Sequence, residues 1–191
     1  FTEDTIKRYR VNVGKEGSNY VAKYPLFDPA TGEHVCKKVR TAVKGHNFII
    51  EGSYGRAGLF GRHAFPPGGK YITVVEGQDD ALAAFQMFGG KYPVVSVHSA
   101  ATAEKDVKRD FEYLNSFETI VFAFDNDEAG RKAAKSAAGA GFALGKVRVL
   151  NLRKFKDAND YLLAKETEAY VKEWWQAPTL KPDGLFMGTE L

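Results

Sequence analysis

Residues 119–127 have the sequence TIVFAFDND, an apolar run that ends in two aspartates. A second run, YITVVEG, occupies residues 71–77 and closes with Glu76 followed by glycine. Continuous runs of β-branched and aromatic residues are typical of strands covered on both faces, as in a parallel sheet between helices. A segment with helical spacing of apolar residues follows each run, at 79–88 and at 128–138. This alternation predicts an α/β fold in which a parallel sheet carries helices on both faces.

The same alternation continues along the rest of the second half of the chain. The remaining predicted strands are 94–97 and 146–150, and the remaining predicted helices are 104–115, 157–164 and 168–176. We expect Trp174 and Trp175 to pack the last of these helices onto the domain. No internal repeat or low-complexity tract interrupts the pattern.

Residues 1–70 differ from this pattern. They contain short aromatic and β-branched runs joined by turn signals, and a Pro/Gly cluster at 66–69 closes them. The strands predicted here are 20–27, 35–40 and 48–51. We therefore divide the chain into a small basic β-rich subdomain, an α/β core, and a C-terminal helix with a linker, with the ranges 1–70, 71–164 and 165–191.

Charge is distributed unevenly over the 191 residues. Residues 1–70 contain 12 basic and 6 acidic side chains and residues 71–191 contain 15 and 18, so the net charges are +6 and −3 within a total of +3. This division suggests a groove for a polyanion beside a carboxylate site, although solvated surface charges would give the same counts. A hydrophobic content of 44% excludes a disordered chain, and no apolar run approaches the roughly 18 residues of a membrane span. The single cysteine, Cys36, excludes an internal disulfide, and one cysteine with four histidines argues against a zinc site in this chain.

Carboxylates follow both central strands at one edge of the predicted sheet. Asp125 and Asp127 share a face if their segment is extended, and Glu76 comes from a neighbouring strand. Since ligands bind outside the carboxyl ends of parallel strands, these groups form a candidate site. Their mutual repulsion would be relieved by a hard divalent cation such as Mg²⁺. Each also has an ordinary alternative: Glu76-Gly77 could be a plain strand exit, and Asp127 could cap a helix.

Three motifs in this order resemble those of a known family. Residues 76–81 (EGQDDA) and 124–130 (FDNDEAG) resemble the Toprim signature of primases, topoisomerases and some nucleases. Residues 156–162 (KDANDYL) resemble the third motif of DnaG-type primases and of the bifunctional primase–helicases of lytic phages. Further matches to the same proteins are KKVR at 37–40, LFGRH at 59–63 and PDG at 182–184. The chain is thus identified as a Toprim-domain primase similar to the RNA polymerase domain of the phage primase–helicases.

The resemblance implies a DNA primase that joins ribonucleotides into short RNA primers on single-stranded DNA during phage DNA replication. The implied chemistry is nucleotidyl transfer with two Mg²⁺ or Mn²⁺ ions. Asp125, Asp127 and Asp157 would be associated with the metal, Glu76 would bind metal or act as general acid or base, and Asp80 would support the cluster. The expected catalytic residues are Glu76, Asp125 and Asp127. Asp157 could instead simply begin a helix.

Basic residues are expected to contact the template and the nucleotides. Lys38 and Arg40 alternate on one face of their predicted strand, with Lys37 on the other face. The resemblance implies that Lys38 and Arg40 line the template and nucleotide groove. The other expected contacts are Lys44, Arg62, His63 and Arg131, although Arg131 could equally lie on a solvated helix face.

The resemblance also implies partners outside this chain. They are the single-stranded DNA template, ribonucleoside triphosphates, the replicative DNA polymerase, and a zinc-binding module and a helicase domain of the full-length protein. A helicase motor is not expected within the chain, because the nearest approach to a nucleotide-binding P-loop, residues 141–147, has Val147 in place of Ser or Thr. The expected location is the cytoplasm of the infected bacterial host, without membrane contact.

Two departures from the family pattern leave alternatives open. Gln78 replaces an acidic residue that relatives often carry, which predicts weaker metal binding. His98 follows a strand where relatives tend to place glycine, and we expect it to be a surface-loop histidine. The alternative functions are a Toprim nuclease or topoisomerase subunit, and a catalytically degenerate DNA-binding Toprim attached to a replicative helicase.

Overall fold

The N-terminal part of the chain forms a four-stranded antiparallel sheet. The computed structural model describes residues 1–41 and 48–180. Helix α1 (Glu3–Arg8) precedes strands β1 (Asn12–Glu16), β2 (Asn19–Phe27), β3 (His34–Thr41) and β4 (Phe48–Gly52), which pair in the order β1-β2-β3-β4. The three strands predicted in this region are present within two residues of their expected bounds. β1, with the polar sequence NVGKE, is not among the predicted strands because it lacks an apolar run.

The second half of the chain forms a four-stranded parallel sheet flanked by helices, which confirms the predicted fold class. The strands pair in the order β6-β5-β7-β8. The elements in chain order are β5 (Gly69–Val75), α2 (Gln78–Met87), β6 (Val94–Ser96), α3 (Ala103–Arg109), α4 (Phe111–Asn115), β7 (Phe117–Ala123), α5 (Glu128–Ala138), β8 (Val147–Val149), α6 (Ala158–Leu163) and α7 (Thr167–Trp175). Helix α2 packs with α6 and α7, and α3 packs with α5. Consecutive residues of β5 and β7 are buried, as expected for strands covered on both faces.

The single helix predicted over 104–115 is interrupted in the structure. Asp110 separates α3 from α4, with backbone angles of φ −99° and ψ 20°. Its buried carboxylate accepts a hydrogen bond from the Leu59 N–H at 2.7 Å and pairs with Arg62. At the break between the two helices, Asp110 thus contacts residues that are distant in sequence, and a local sequence pattern cannot predict such a contact.

The two sheets share one continuous hydrophobic core. Phe60, which follows the antiparallel sheet, exchanges two backbone hydrogen bonds of 3.0 Å with Ser96 at the end of β6. Tyr9 is fully buried between the two parts and donates a hydrogen bond to the Val94 carbonyl at 2.8 Å. Gly61 has φ +85°, and a Cβ there would lie 2.6 Å from the Tyr9 ring. These contacts fix the orientation of the antiparallel sheet relative to the parallel one.

The last helix closes one face of the parallel sheet. Trp174 is 1% exposed, and its indole N–H donates to the Thr73 hydroxyl of β5 at 2.9 Å. Trp175 contacts the same aromatic cluster but is 46% exposed. Among the described residues, no helix combines the length and the apolar character that crossing a bilayer would require.

Candidate active site

A cleft of about 480 Å³ separates the antiparallel sheet from the carboxyl edge of the parallel sheet. The antiparallel sheet contributes basic side chains and one tyrosine, and the parallel sheet contributes mainly carboxylates. The lining side chains include Tyr24, Lys38, Arg40, Glu76, Asp79, Asp80, Asp125, Lys156 and Asp157. The cleft therefore brings the basic and acidic parts of the chain face to face.

Asp125 and Asp127 lie directly after β7 and point toward a common cation. The Lys156 ammonium lies 2.9 Å from Asp125 Oδ2 and 3.4 Å from Asp127 Oδ2. Asp127 is also the N-cap of α5, because its Oδ1 accepts the Gly130 N–H at 2.8 Å. That hydrogen bond, assisted by Lys156, holds the pKa of Asp127 below its usual range. Asp127 can therefore cap α5 through Oδ1 while its Oδ2 faces the Lys156 ammonium.

Glu76 follows β5 and is held in a partly buried position beside the two aspartates. Burial, with smaller contributions from Asp125 and Asp127, raises the pKa of Glu76 to about 7. Its Oε2 atom is buried and has no hydrogen-bond partner among the described residues. A buried acceptor without a partner costs free energy unless a proton or a ligand satisfies it.

Asp80 belongs to α2 and lines the same cleft. Its Oδ1 accepts the Asn159 N–H at 3.0 Å, which connects α2 to α6. Burial and then the charge of Asp157 raise the pKa of Asp80 to about 7. Asp157 caps α6 through a 2.8 Å hydrogen bond from the Asp160 N–H to its Oδ1. A Cβ on Gly77 would lie 2.5 Å from Asp80 Oδ2, so glycine is needed where the chain leaves β5.

Lys38 and Arg40 project into the cleft from the same face of β3. The Lys38 ammonium donates to the His98 carbonyl at 3.2 Å. Burial and the charge of Arg40 lower the pKa of Lys38 to about 8, although Glu76 acts in the opposite direction. Arg40 forms an ion pair with Asp79 on α2. Lys37, on the other face of β3, pairs instead with Glu51 at 2.9 Å, as the strand alternation predicts.

Comparison with known proteins assigns this arrangement to a family. A family described as Toprim-like matches residues 73–162. The DNA helicase/primase of Enterobacteria phage T3 is 41% identical over 161 residues, which are 84% of this chain and 28% of that protein. The crystal structure of the primase fragment of the bacteriophage T7 primase–helicase is 36% identical, with a TM-score of 0.80 over 91% of this chain and 71% of the fragment. The chain belongs to the Toprim-type DNA primases.

A second T7 structure extends the comparison to a complex. It contains the bacteriophage T7 lagging-strand DNA polymerase interacting with two primase domains bound to an RNA/DNA hybrid and dTTP. Its primase chain is 36% identical, with a TM-score of 0.81 over 94% of this chain and 89% of that one. These findings confirm the family predicted from the three sequence motifs, and they do not favour a nuclease or topoisomerase.

The carboxylates of this primase domain suit a divalent cation. Among the described residues, no three histidine, cysteine or acidic side chains are already arranged around a common point as metal ligands. The Lys156 ammonium instead neutralises Asp125 and Asp127, and it does so from a side chain that is 54% exposed. Glu76, whose buried Oε2 has no partner among the described residues, is near enough to Asp125 and Asp127 for their charges to raise its pKa. Carboxylate oxygens are the ligands that Mg²⁺ and Mn²⁺ prefer, so the donor set fits such an ion.

The remaining predicted contacts of the primase domain do not line the cleft. Arg62 pairs with buried Asp110 and lies over the Tyr113 ring, and His63 packs against Phe27, so both belong to a separate groove. Burial lowers the pKa of His63 to about 4.

Two other predicted contacts lie elsewhere. Arg131 donates to Asn126 at 3.0 Å and borders a groove on the α5 side of Asp125. Lys44 and the segment 182–184 lie outside the described residues. Nucleotide or template contacts by these residues stay predictions.

His98 is buried, so the expectation of a surface-loop histidine was wrong. It is 3% exposed and pairs with Asp106 of α3. The signal that could have revealed it is Asp106 itself, since this acid lies on the apolar face of α3 with Ala103 and Val107. Gln78 is also buried, and its amide donates to the Ser96 hydroxyl and the Val97 carbonyl at 3.4 Å each.

Proposed function

We propose that this chain is the catalytic domain of a DNA primase that makes short RNA primers on single-stranded DNA during phage DNA replication. The observation that carries the proposal is the cleft in which Lys38 and Arg40 face Glu76 and Asp125, with Asp127 beside them through its shared contact with Lys156. A primase needs cations for template and triphosphate phosphates, and carboxylates for divalent ions, on opposite sides of one groove. The chain spans 28% of the length of the T3 relative. The proposed subdivision is the basic subdomain 1–70, the Toprim catalytic core 71–164 and the C-terminal segment 165–191.

Carboxylates in the cleft would hold the metal. Metal dependence is general among primases of this family, and we propose two Mg²⁺ or Mn²⁺ ions held by Asp125, Asp127 and Glu76, with Asp157 at the margin and Asp80 in support. When bound, the ions would favour ionisation of the 3′-hydroxyl and offset charge on the α-phosphate and the departing pyrophosphate. In the reaction, the 3′-oxygen bonds to the α-phosphorus, and the bond from that phosphorus to pyrophosphate breaks.

The protein groups orient the reactants and handle the proton. Lys38 and Arg40 would bind phosphate oxygens from the side of the antiparallel sheet, with Lys44, Arg62, His63 and Arg131 as further candidate contacts. Glu76, whose pKa is about 7 without a bound ion, can accept or release a proton at Oε2 near neutral pH; where it binds an ion instead, it would stay ionised and act as a ligand. Burial by β5 and β7 keeps bulk water from the rear of the site.

Partners follow by analogy with the relatives. The T7 structure places primase domains against a DNA polymerase and an RNA/DNA hybrid. We extend this to the present protein as contact with a replicative DNA polymerase, with single-stranded DNA and with ribonucleoside triphosphates. The T3 relative combines helicase and primase names in one longer chain. We accordingly propose a helicase domain in the full-length protein, together with the zinc-binding module that the family resemblance implies, and expect the protein to act in the cytoplasm of the bacterial host.

Primer synthesis by the full-length protein, with labelled ribonucleoside triphosphates and single-stranded DNA, tests this proposal. Asp125→Ala and Asp127→Asn should abolish synthesis, and asparagine keeps the helix cap so that stability is preserved. Glu128→Ala is the matched control, because this exposed acid follows Asp127 outside the cleft. Unchanged synthesis by both aspartate variants would contradict the proposal. Metal-dependent DNA cleavage without nucleotides would indicate a nuclease instead.

A second pair of variants tests the basic side of the cleft. Lys38→Ala should raise the apparent KM for nucleotide or template about tenfold, since a charged hydrogen bond to phosphate contributes about 1.5–3 kcal/mol. Lys37→Ala should leave both values unchanged, because Lys37 faces away from the cleft and pairs with Glu51. Equal effects of the two substitutions would show that general surface charge, not the cleft, binds the nucleic acid.

A further inference from the structure

A buried contact between His98 and Asp106 lies behind the cleft, between the loop after β6 and helix α3. The side chains of His98 and Asp106 are 2% and 3% exposed. Asp106 Oδ1 lies 3.1 Å from His98 Nδ1. Asp106 Oδ2 accepts the backbone N–H of His98 at 2.9 Å and the hydroxyl of Thr102 at 2.8 Å. The carboxylate therefore fixes both the ring and the main chain of His98.

The second ring nitrogen of His98 contacts the N-terminal part of the chain. Nε2 lies 3.0 Å from the carbonyl oxygen of Gly58. Both ring nitrogens therefore lie within hydrogen-bond distance of an oxygen atom, which fixes the ring at two points. Burial alone would raise the pKa of Asp106, but its hydrogen bonds and the neighbouring His98 outweigh burial and lower it. The polar atoms of both side chains thus have partners inside the protein.

The same histidine residue also holds a cleft lysine. The carbonyl oxygen of His98 accepts the Lys38 ammonium at 3.2 Å. Its side chain is fixed to Gly58 and Asp106, so the direction of this carbonyl is set by the buried pair. A lysine side chain has several rotatable bonds and about 2 kcal/mol of rotamer entropy, so a fixed acceptor restricts where its charge lies.

We propose that His98 is a positioning residue for Lys38. Through its ring bonds to Asp106 and Gly58 it orients its own carbonyl, and this carbonyl holds the Lys38 ammonium where an incoming phosphate is bound. The proposal rests on the proposed function, in which Lys38 contacts the triphosphate or the template. It adds a buried connection between α3, the Gly58 loop and the cleft.

The test uses a variant that replaces both buried ionisable side chains at once. His98→Gln combined with Asp106→Asn keeps polar side chains at both positions but removes the fixed contact between the ring and the carboxylate. In primer synthesis by the full-length protein we expect the KM for nucleotide to rise about tenfold while kcat changes less than about threefold. Thr102→Val, which removes one hydrogen bond to Asp106, should give a smaller effect in the same direction.

A double-mutant cycle separates positioning from a general structural effect. In a Lys38→Ala background, His98→Gln combined with Asp106→Asn should raise KM little further, because the group that His98 positions is gone. Lys105→Ala, at an exposed position of α3 next to Asp106, is the matched control and should change nothing. The proposal would be overturned if the two substitutions raised KM equally with and without the Lys38 ammonium. It would also be overturned if KM were unchanged in the folded His98→Gln/Asp106→Asn variant.

A measurement independent of activity keeps this inference distinct from the proposed function. The pKa of Lys38, followed by NMR of labelled lysine, should fall by about half a unit when its acceptor is no longer fixed. If the wild-type protein makes no primers, the proposed function fails, and this NMR comparison still decides the positioning role. If the pair variant does not fold, Thr102→Val provides the same comparison. An unchanged Lys38 pKa in the folded variant would contradict the positioning role while leaving primer synthesis intact.

Discussion

Substitution of Gly130 by alanine should damage the site although it improves local helix propensity. Gly130 lies in the first turn of α5, and a Cβ there would lie 2.2 Å from the carbonyl oxygen of Asp125. It would also lie 3.0 and 3.1 Å from the carbonyl carbon and Cα of Asp125. The first distance is roughly 1 Å shorter than an ordinary contact, and the opposing atoms are backbone, which cannot rotate away. Either α5 or Asp125 must therefore move.

The expected loss of stability and of activity can be estimated from this movement of α5 or Asp125. Overpacking of this kind costs about 1–3 kcal/mol, which exceeds the gain of about 1 kcal/mol expected for replacing glycine by alanine in a helix. A displacement of about 1 Å at a catalytic group lowers turnover about 100-fold. We expect a net loss of stability in urea unfolding and about a 100-fold lower rate of primer synthesis, with weaker Mn²⁺ binding in titration calorimetry.

Gly139, at the other end of the same helix, is the matched control. Its φ is −77°, and a Cβ there would have nearest contacts of 3.4 and 3.5 Å. Gly139→Ala should therefore keep full activity and leave stability unchanged or slightly higher. If Gly130→Ala behaved in the same way, α5 could shift without disturbing Asp125, and the close approach of the helix would not determine the geometry of the site.

Two further predictions concern the pH dependence of stability and the packing of the last helix. The pKa values of Glu76 and Asp80 are about 7 in the folded protein and lie near 4 in an unfolded chain. Between these values the folded state binds more protons at the two carboxyl groups, whereas His63, with a folded pKa of about 4, binds fewer. The two carboxyl groups together outweigh the one histidine, so in EDTA the free energy of unfolding should fall by about 1–3 kcal/mol as pH rises from 4 to 8. Urea titrations of Glu76→Gln should show a smaller fall, and a slope equal to that of the wild type would contradict the assignment. Trp174→Phe should lower the free energy of unfolding by about 1–3 kcal/mol, because the Thr73 hydroxyl loses its buried donor. Trp175→Phe should change the melting temperature only slightly. Equal melting temperatures for the two variants would contradict this packing.

The parallel sheet and the helix starts could be predicted because their causes are local. The apolar runs before Glu76 and Asp125 require cover on both faces, which specifies buried parallel strands. Asp127 and Asp157 each accept a backbone N–H three residues later, so their capping role is visible in the sequence itself. The order of the three motifs then indicated the family. The division of the chain into domains and the assignment of individual site residues stay predictions.

The contacts between the two sheets could not be predicted because their partners are distant in sequence. Asp110 breaks a helix to bind the N–H of Leu59, 51 residues earlier. The burial of His98 depends on Gly58, 40 residues earlier. The local sequence pattern does not show that either pair of residues is in contact. Periodicity alone could have indicated only that Asp106 occupies an apolar helix face and needs a buried partner.

Several carboxylates of the cleft are paired with cations before any ligand binds, which lowers the cost of holding them close together in the folded protein. Lys156 neutralises Asp125, Arg40 pairs with Asp79, and Glu76 is half protonated near pH 7. Burying the same carboxylates without these partners would cost several kcal/mol each. Binding of the proposed ions and of phosphate would then exchange one set of partners for another. Such an exchange would keep the carboxylates paired throughout, so the binding free energy of the substrates need not first offset the full repulsion among them.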